Sequence, residues 1–185
     1  MMRNLGLAAA LAVALPLAAT AQNTSAIGAP APDVANNAVF GGWVVDCEAI
    51  TVREISCRLI QQLTLAESGE LVARLIVLPV DDGAAVMLAQ VPMGVFLPGG
   101  AVFRVEGAED DTQTEMIWQR CLGELCEAAI RLEVGDMAAL RDADALLFGY
   151  RVDVEGEPVV VRVDTSQFGA ALDAIRRDEA ATPSE

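Results

Sequence analysis

Between residues 39 and 163 the chain is cut into short apolar segments, each ended by glycine, proline or acidic turn residues before an ordinary helix could form. Trp43, Val45 and Cys47 alternate onto one face, and Cys57, Leu59, Leu63 and Leu65 repeat that period with Gln61 as the polar member of the row. A period of two is the mark of a half-buried strand. Residues 71–78 are nearly continuous apolar residues broken only by Arg74, long enough for a strand and short for a helix. Further extended segments fall at 39–47, 84–91, 101–106, 116–121, 127–134, 146–154 and 159–163. Turn chemistry separates them at Ser68-Gly69-Glu70, at Asp81-Asp82-Gly83, at the acidic run Glu109-Asp110-Asp111 and at a hairpin turn Glu155-Gly156-Glu157-Pro158. Proline and glycine exclude a helix interior from residues 92–100, which read as an irregular connection or edge.

Two segments read as helices. Residues 136–141 suffice for one or two turns. Over residues 166–177, Phe168, Ala171, Leu172 and Ile175 recur at helical spacing, Asp164, Thr165 or Ser166 can cap the start, and Arg176-Arg177 suits the negative end of the dipole. The predicted fold is mainly β, an antiparallel β-sandwich or barrel-like domain with a C-terminal α-helix over one end or face and two disulfides.

The first residues carry a basic start at Arg3, an apolar run over residues 5–18 and Ala19-Thr20-Ala21 before Gln22. This is the pattern of a cleavable signal peptide at residues 1–21, with an apolar run too short to stop in a bilayer, so no transmembrane segment is expected after cleavage. Residues 22–38 are rich in Ala, Pro and Asn and read as a flexible linker, residues 39–178 as one domain, and residues 179–185 as a disordered tail. The expected location is the periplasm or the exterior of a Gram-negative bacterium.

An exported chain keeps its thiols oxidised, so Cys47, Cys57, Cys121 and Cys126 are expected as disulfides. Four cysteines allow three connectivities; the two short loops, Cys47 with Cys57 and Cys121 with Cys126, are the economical choice. The five-residue spacing of Cys121 and Cys126, with the acid Glu124 between and strand-like flanks, differs from the C-x-x-C of thiol oxidoreductases, and carboxylates beside a thiol oppose its ionisation.

Chemistry is restricted by inventory. The formal charge is −15, there is no histidine, and every basic residue is arginine. No Ser-His-Asp, Cys-His or Ser-Lys arrangement is available. The acidity repels phosphate backbones and anionic lipid, so nucleic acid is not an expected partner. No metal or cofactor site is expected; Asp81-Asp82 and Glu109-Asp110-Asp111 lack calcium-loop spacing and read as solvated turns. Trp43 and Trp118 have apolar neighbours and read as core or edge packing before ligand platforms.

Four stretches taken in order, Trp43-Val44-Val45-Asp46-Cys47, Cys57-Arg58-Leu59, Val91-Pro92-Met93-Gly94-Val95-Phe96-Leu97-Pro98-Gly99 and Cys121-Leu122-Gly123-Glu124-Leu125-Cys126, resemble the invasion-associated locus B family of small exported bacterial proteins. The resemblance spans about residues 39–175 and implies an envelope protein without a known active site. The function expected is macromolecular interaction with an unidentified protein or envelope partner, with Pro92, Met93, Gly94, Val95, Phe96 and Leu97 as the candidate surface. The alternatives are a periplasmic structural or chaperone-like stress factor, and a hydrolase working through two facing carboxylates.

Overall fold

The protein is described by a computed structural model over residues 34–51, 54–109 and 112–180. The signal peptide, the first part of the linker and the last five residues of the chain lie outside the described residues. Among the described residues ten strands form one antiparallel sheet: β1 Val39–Phe40, β2 Trp43–Thr51, β3 Glu54–Thr64, β4 Leu71–Pro79, β5 Ala85–Pro92, β6 Ala101–Val105, β7 Thr114–Leu122, β8 Leu125–Leu132, β9 Ala145–Tyr150 and β10 Val159–Asp164. Two helices complete the fold, α1 Val134–Asp142 and α2 Phe168–Ala180. The spatial order is β1-β2-β3-β4-β5-β8-β7-β6-β9-β10. Strands β1 to β5 form a meander, and β8, β7 and β6 return before β9 and β10 add at the far side. The sheet curls into a half-barrel, the barrel-like form of the expected mainly-β fold, with α2 packed against β1, β2 and β3.

The period-two rows identified in the sequence line the concave side, except for Leu65, which follows the end of β3 at Thr64 and is exposed. Trp43, Val45, Cys57, Leu59, Leu75, Val77, Met87 and Val91 are buried there, joined by Phe148 and by Phe168, Leu172 and Ile175 of α2. Alanines at positions 85, 89, 101 and 128, on β5, β6 and β8, are also fully buried. Tyr150 crosses the interior to donate its hydroxyl to Val72 O at 3.0 Å, holding β9 to β4 on the opposite wall. Gln61, the polar member of its row, is buried against Gly42, where an added Cβ would overlap the Gln61 side-chain amide. Position 42 therefore admits only glycine unless Gln61 moves.

Several boundaries differ from the sequence reading. The segment at 39–47 is two strands, folded back at Gly41-Gly42 so that Phe40 pairs with Trp43. Residues 34–38, read as the end of a loose linker, lie against β2: Val34 is buried, and Val45 exchanges backbone hydrogen bonds with Asn37 and Ala38. Helix α1 starts two residues before the expected segment because Asp136 accepts the Glu133 N–H at 2.9 Å, closing its first turn. Strand β9 stops at Tyr150, and residues 151–158 form a loop longer than the expected four-residue hairpin turn.

No strand pairing joins β10 to β1, so side chains close the seam. The Trp43 indole donates to Asp164 O at 2.8 Å, and its ring lies 5.2 Å from that of Phe168. The Asp164 carboxylate accepts from the Ser166 hydroxyl, from the Ser166 N–H at 3.0 Å and from the Gly42 N–H. These donors, Ser166 first, hold its pKa below the ordinary carboxylate value. A depressed folded-state pKa adds stability that is present above the unfolded pKa and lost as pH falls through the folded one. Asp164→Asn is therefore expected to lower stability by about 1 kcal/mol at pH 7. Urea midpoints of parent and variant should converge as pH falls through the lowered pKa of Asp164; a gap that stays constant over that fall would remove the carboxylate from the seam.

Candidate interaction surface

The 92–100 connection is shaped by its own sequence. Pro92 ends β5 opposite Leu125, and Gly94 takes φ 105°, a conformation closed to most side chains. The backbone is then anchored at two points: Met93 N–H donates to Glu124 O at 2.8 Å, and Phe96 N–H donates to Arg151 O at 2.8 Å. Leu97–Gly99 is a single 3-10 turn whose Pro98 occupies the first turn, where its missing N–H costs nothing. At Gly99 an added Cβ would sit 3.0 Å from the Phe96 ring and 3.2 Å from Arg151 Cβ, so glycine permits the close approach of this turn to the start of the 151–158 loop.

The six residues singled out in the sequence divide into two groups. Val95 and Phe96 are half-buried, with Val95 packed against the core, and they fix the loop. Met93 and Leu97 are exposed, at 56% and 45%. Pro92 and Gly94 set the path of the chain.

The same hydrogen bonds bring two other connections alongside. The β7–β8 turn carries Leu122, 72% exposed and paired with Leu125 in one cross-strand row with Pro92. One pair further into that hairpin, Cys121 and Cys126 are bonded directly across the strands. The 151–158 loop, braced by Arg151 Nη1 donating to Gly156 O at 2.7 Å, presents exposed Val152 and Val154. Its valines alternate with Asp153, Glu155 and Glu157, a strand-like pattern that conceals a loop; these valines were not among the candidate residues. The signal that could have found them is the apolar and acidic alternation beside a Gly-Pro-containing turn.

On the convex face the register builds bands. Gln62, Arg74, Gln90, Glu127 and Arg120 fall in one row across five strands. Arg74 bonds Gln62 and Gln90, Gln90 donates to Glu127 at 2.8 Å, and Glu127 pairs with Arg120 at 3.5 Å. The neighbouring row is aliphatic, Ile60, Ile76, Leu88, Ala129 and Ile117. That row explains why residues 71–78 read as a continuous apolar run in an antiparallel sheet. The second disulfide, Cys47–Cys57, also joins directly opposed residues, in β2 and β3.

A cavity of about 390 Å³ lies between β6, the connection after it and α1, lined by Phe103, Val105, Ala139 and Leu140 with Arg104 and Asp136. Its two charged groups are already employed, Arg104 on Ala108 O and Asp136 on the Glu133 N–H, and Thr112 and Thr114 are its other polar lining residues. Asp136 is its one lining carboxylate among the described residues, so the facing pair a glycosidase needs is not assembled there. The resolved pKa shifts of Asp164 and Glu106 are downward, the latter through the Arg162 hydrogen bond, and that of Tyr150 is upward through burial. Each moves a group further from neutrality. Trp43 is 1% exposed in the core, and Trp118 is half-buried against it.

A family model described as Invasion associated locus B (IalB) protein matches residues 43–176. An invasion protein B homolog of Brucella abortus (strain 2308) is 24% identical over 137 residues, which is 74% of this chain and 77% of the relative. The homolog of Brucella abortus biovar 1 (strain 9-941) gives the same values. The crystal structure of invasion associated protein b from Bartonella henselae shares the fold, with a TM-score of 0.68 at 19% identity, covering 77% of this chain and 96% of that one.

Proposed function

The chain belongs to the invasion-associated locus B family, whose model it matches over residues 43–176, and on that footing we propose that it is an exported, non-enzymatic binding protein of the bacterial envelope. The observation that carries this reading is the end surface: Met93, Leu97, Leu122, Val152 and Val154 are exposed on three connections that hydrogen bonds tie together. Loops held by a rigid barrel are where binding residues concentrate. Val39, Ile50, Leu65, Ile117, Val134 and Val160 are exposed on other elements and connections, whereas these five share adjoining connections, and adjoining apolar side chains have a use when another molecule covers them.

Export is supported by the leader pattern at residues 1–21 and by two disulfides, which persist in an oxidising compartment. No helix among the described residues is long and apolar enough to cross a membrane. A role without catalysis is supported by the missing histidine and lysine and by shifts that carry titrating groups away from neutrality. The relatives carry names that refer to invasion, and a binding role is compatible with those names without requiring invasion here.

A photo-crosslinking residue placed at Met93 in the producing cell should trap a partner, while the same residue at Val134, exposed at the opposite end of β8, should not. Identical adducts at both positions, or none at Met93, would overturn this assignment.

A further inference from the structure

We infer that the occupant of this end surface is a basic, amphipathic polypeptide segment, a conclusion that rests on the binding role proposed above and names its partner by charge. Around the apolar anchors the charged groups left without an opposite partner are carboxylates, save Arg151, which a backbone carbonyl holds. Glu115, Glu124, Asp153, Glu155 and Glu157 are all exposed around the three connections, and none forms an ion pair among the described residues. The cations of this end are already engaged: Arg151 is held by Gly156 O and Arg120 by Glu127. The same holds elsewhere, with Arg58 on Asp46, Arg131 on Glu133, Arg141 on Asp173, Arg162 on Glu106 and Arg176 on the carbonyls of Gly83 and Ala84. These arginines are thus each paired or hydrogen-bonded at the surface, whereas the five carboxylates of this end have no cation paired with them among the described residues.

A partner that matches must supply cations for the rim and apolar side chains for the centre. A simple polycation would satisfy the carboxylates and leave the aliphatic side chains in water. Anionic lipid and nucleic acid are repelled by the rim, and a second copy brings another net charge of −15 to the same surface. A polypeptide segment with lysine or arginine on one side and leucine-like residues on the other meets both demands.

The test uses the intact oxidised protein and three labelled synthetic peptides read by fluorescence anisotropy: alternating lysine and leucine faces, lysine and serine, and glutamate and leucine. The lysine–leucine peptide should bind saturably and one to one, far more tightly than the other two, and should weaken as salt rises. Met93→Ser with Leu122→Ser should weaken it roughly tenfold or more. Glu155→Gln with Glu157→Gln should weaken it and flatten its salt dependence, while Asp82→Asn with Asp142→Asn, the same change in net charge at the other end, should leave it unchanged. Equal losses from both charge pairs would reduce the effect to net charge and overturn the inference. So would preference for the glutamate peptide, binding to anionic vesicles, or Met93-dependent self-association in sedimentation. Crosslinks from Met93 to an acidic partner segment would sink this inference while leaving the binding role in place.

Discussion

Trp43→Ala is expected to lower the stability of the fold by about 3 to 5 kcal/mol, the range for removing a fully buried large aromatic side chain. The indole is 1% exposed, touches the Phe168 ring and donates to Asp164 O at 2.8 Å. Its position explains why the loss extends beyond one cavity. The sheet is not closed by strand pairing between β1 and β10, so this side chain and the Asp164 carboxylate hold the last strand and α2 to the first hairpin. Removing it should expose β10 and the start of α2 to hydrogen exchange more than β4 or β5. Trp43→Phe separates packing from polarity, because it keeps a ring and leaves Asp164 O without its donor at a further cost of about 1 kcal/mol. Urea unfolding followed by Trp118 fluorescence reads both variants. An alanine variant within 1 kcal/mol of the parent would show that the seam is held elsewhere.

The strand framework was legible because burial in an antiparallel sheet is written directly as alternation. Trp43, Val45, Leu59 and Gln61 all face inward in the register that their spacing implies. The α2 face was legible for the same reason, at the helical period, with Phe168, Ala171, Leu172 and Ile175 all buried. What the sequence concealed depends on contacts between distant segments. Nothing local shows that Gly42 must yield its Cβ to Gln61, or that the 34–38 segment is drawn in by Val45. Residues 152–154 alternate like a strand, yet Arg151 spends its carbonyl on Phe96 and its guanidinium on Gly156, and the chain leaves the sheet. The candidate surface was therefore found in part: the 92–97 stretch was visible from its prolines and glycine, whereas its companions at Leu122, Val152 and Val154 became neighbours only through folding.

Removing both disulfides should cost roughly 5 kcal/mol in total, as the sum of about 2 to 3 kcal/mol from each closed loop. Each bond joins residues directly opposed in the ladder, with Cα separations of 4.0 Å for Cys47–Cys57 and 3.9 Å for Cys121–Cys126. The pairs lie in different hairpins, β2–β3 and β7–β8, with β4 and β5 between them, so their contributions should add. A domain of this kind has a net stability of only about 5 to 15 kcal/mol, and a loss of this size takes a large share of it. The two bonds should differ in what else they disturb. Each pair includes one buried cysteine, Cys57 and Cys126, but Cys47→Ala with Cys57→Ala removes the longer loop constraint, so its larger effect should appear in the urea midpoint. Cys121→Ala with Cys126→Ala relaxes a tight two-residue turn, and the global cost should be smaller. That turn, however, supplies the Glu124 carbonyl that anchors Met93 and carries Leu122, so loosening it should weaken binding at the end surface beyond its effect on stability. Unfolding with and without reductant, alongside the two paired variants, separates these contributions. If the reduced protein unfolds at the same urea concentration as the oxidised one, the hairpins are held by strand pairing and core packing alone, and the bonds contribute nothing to the fold.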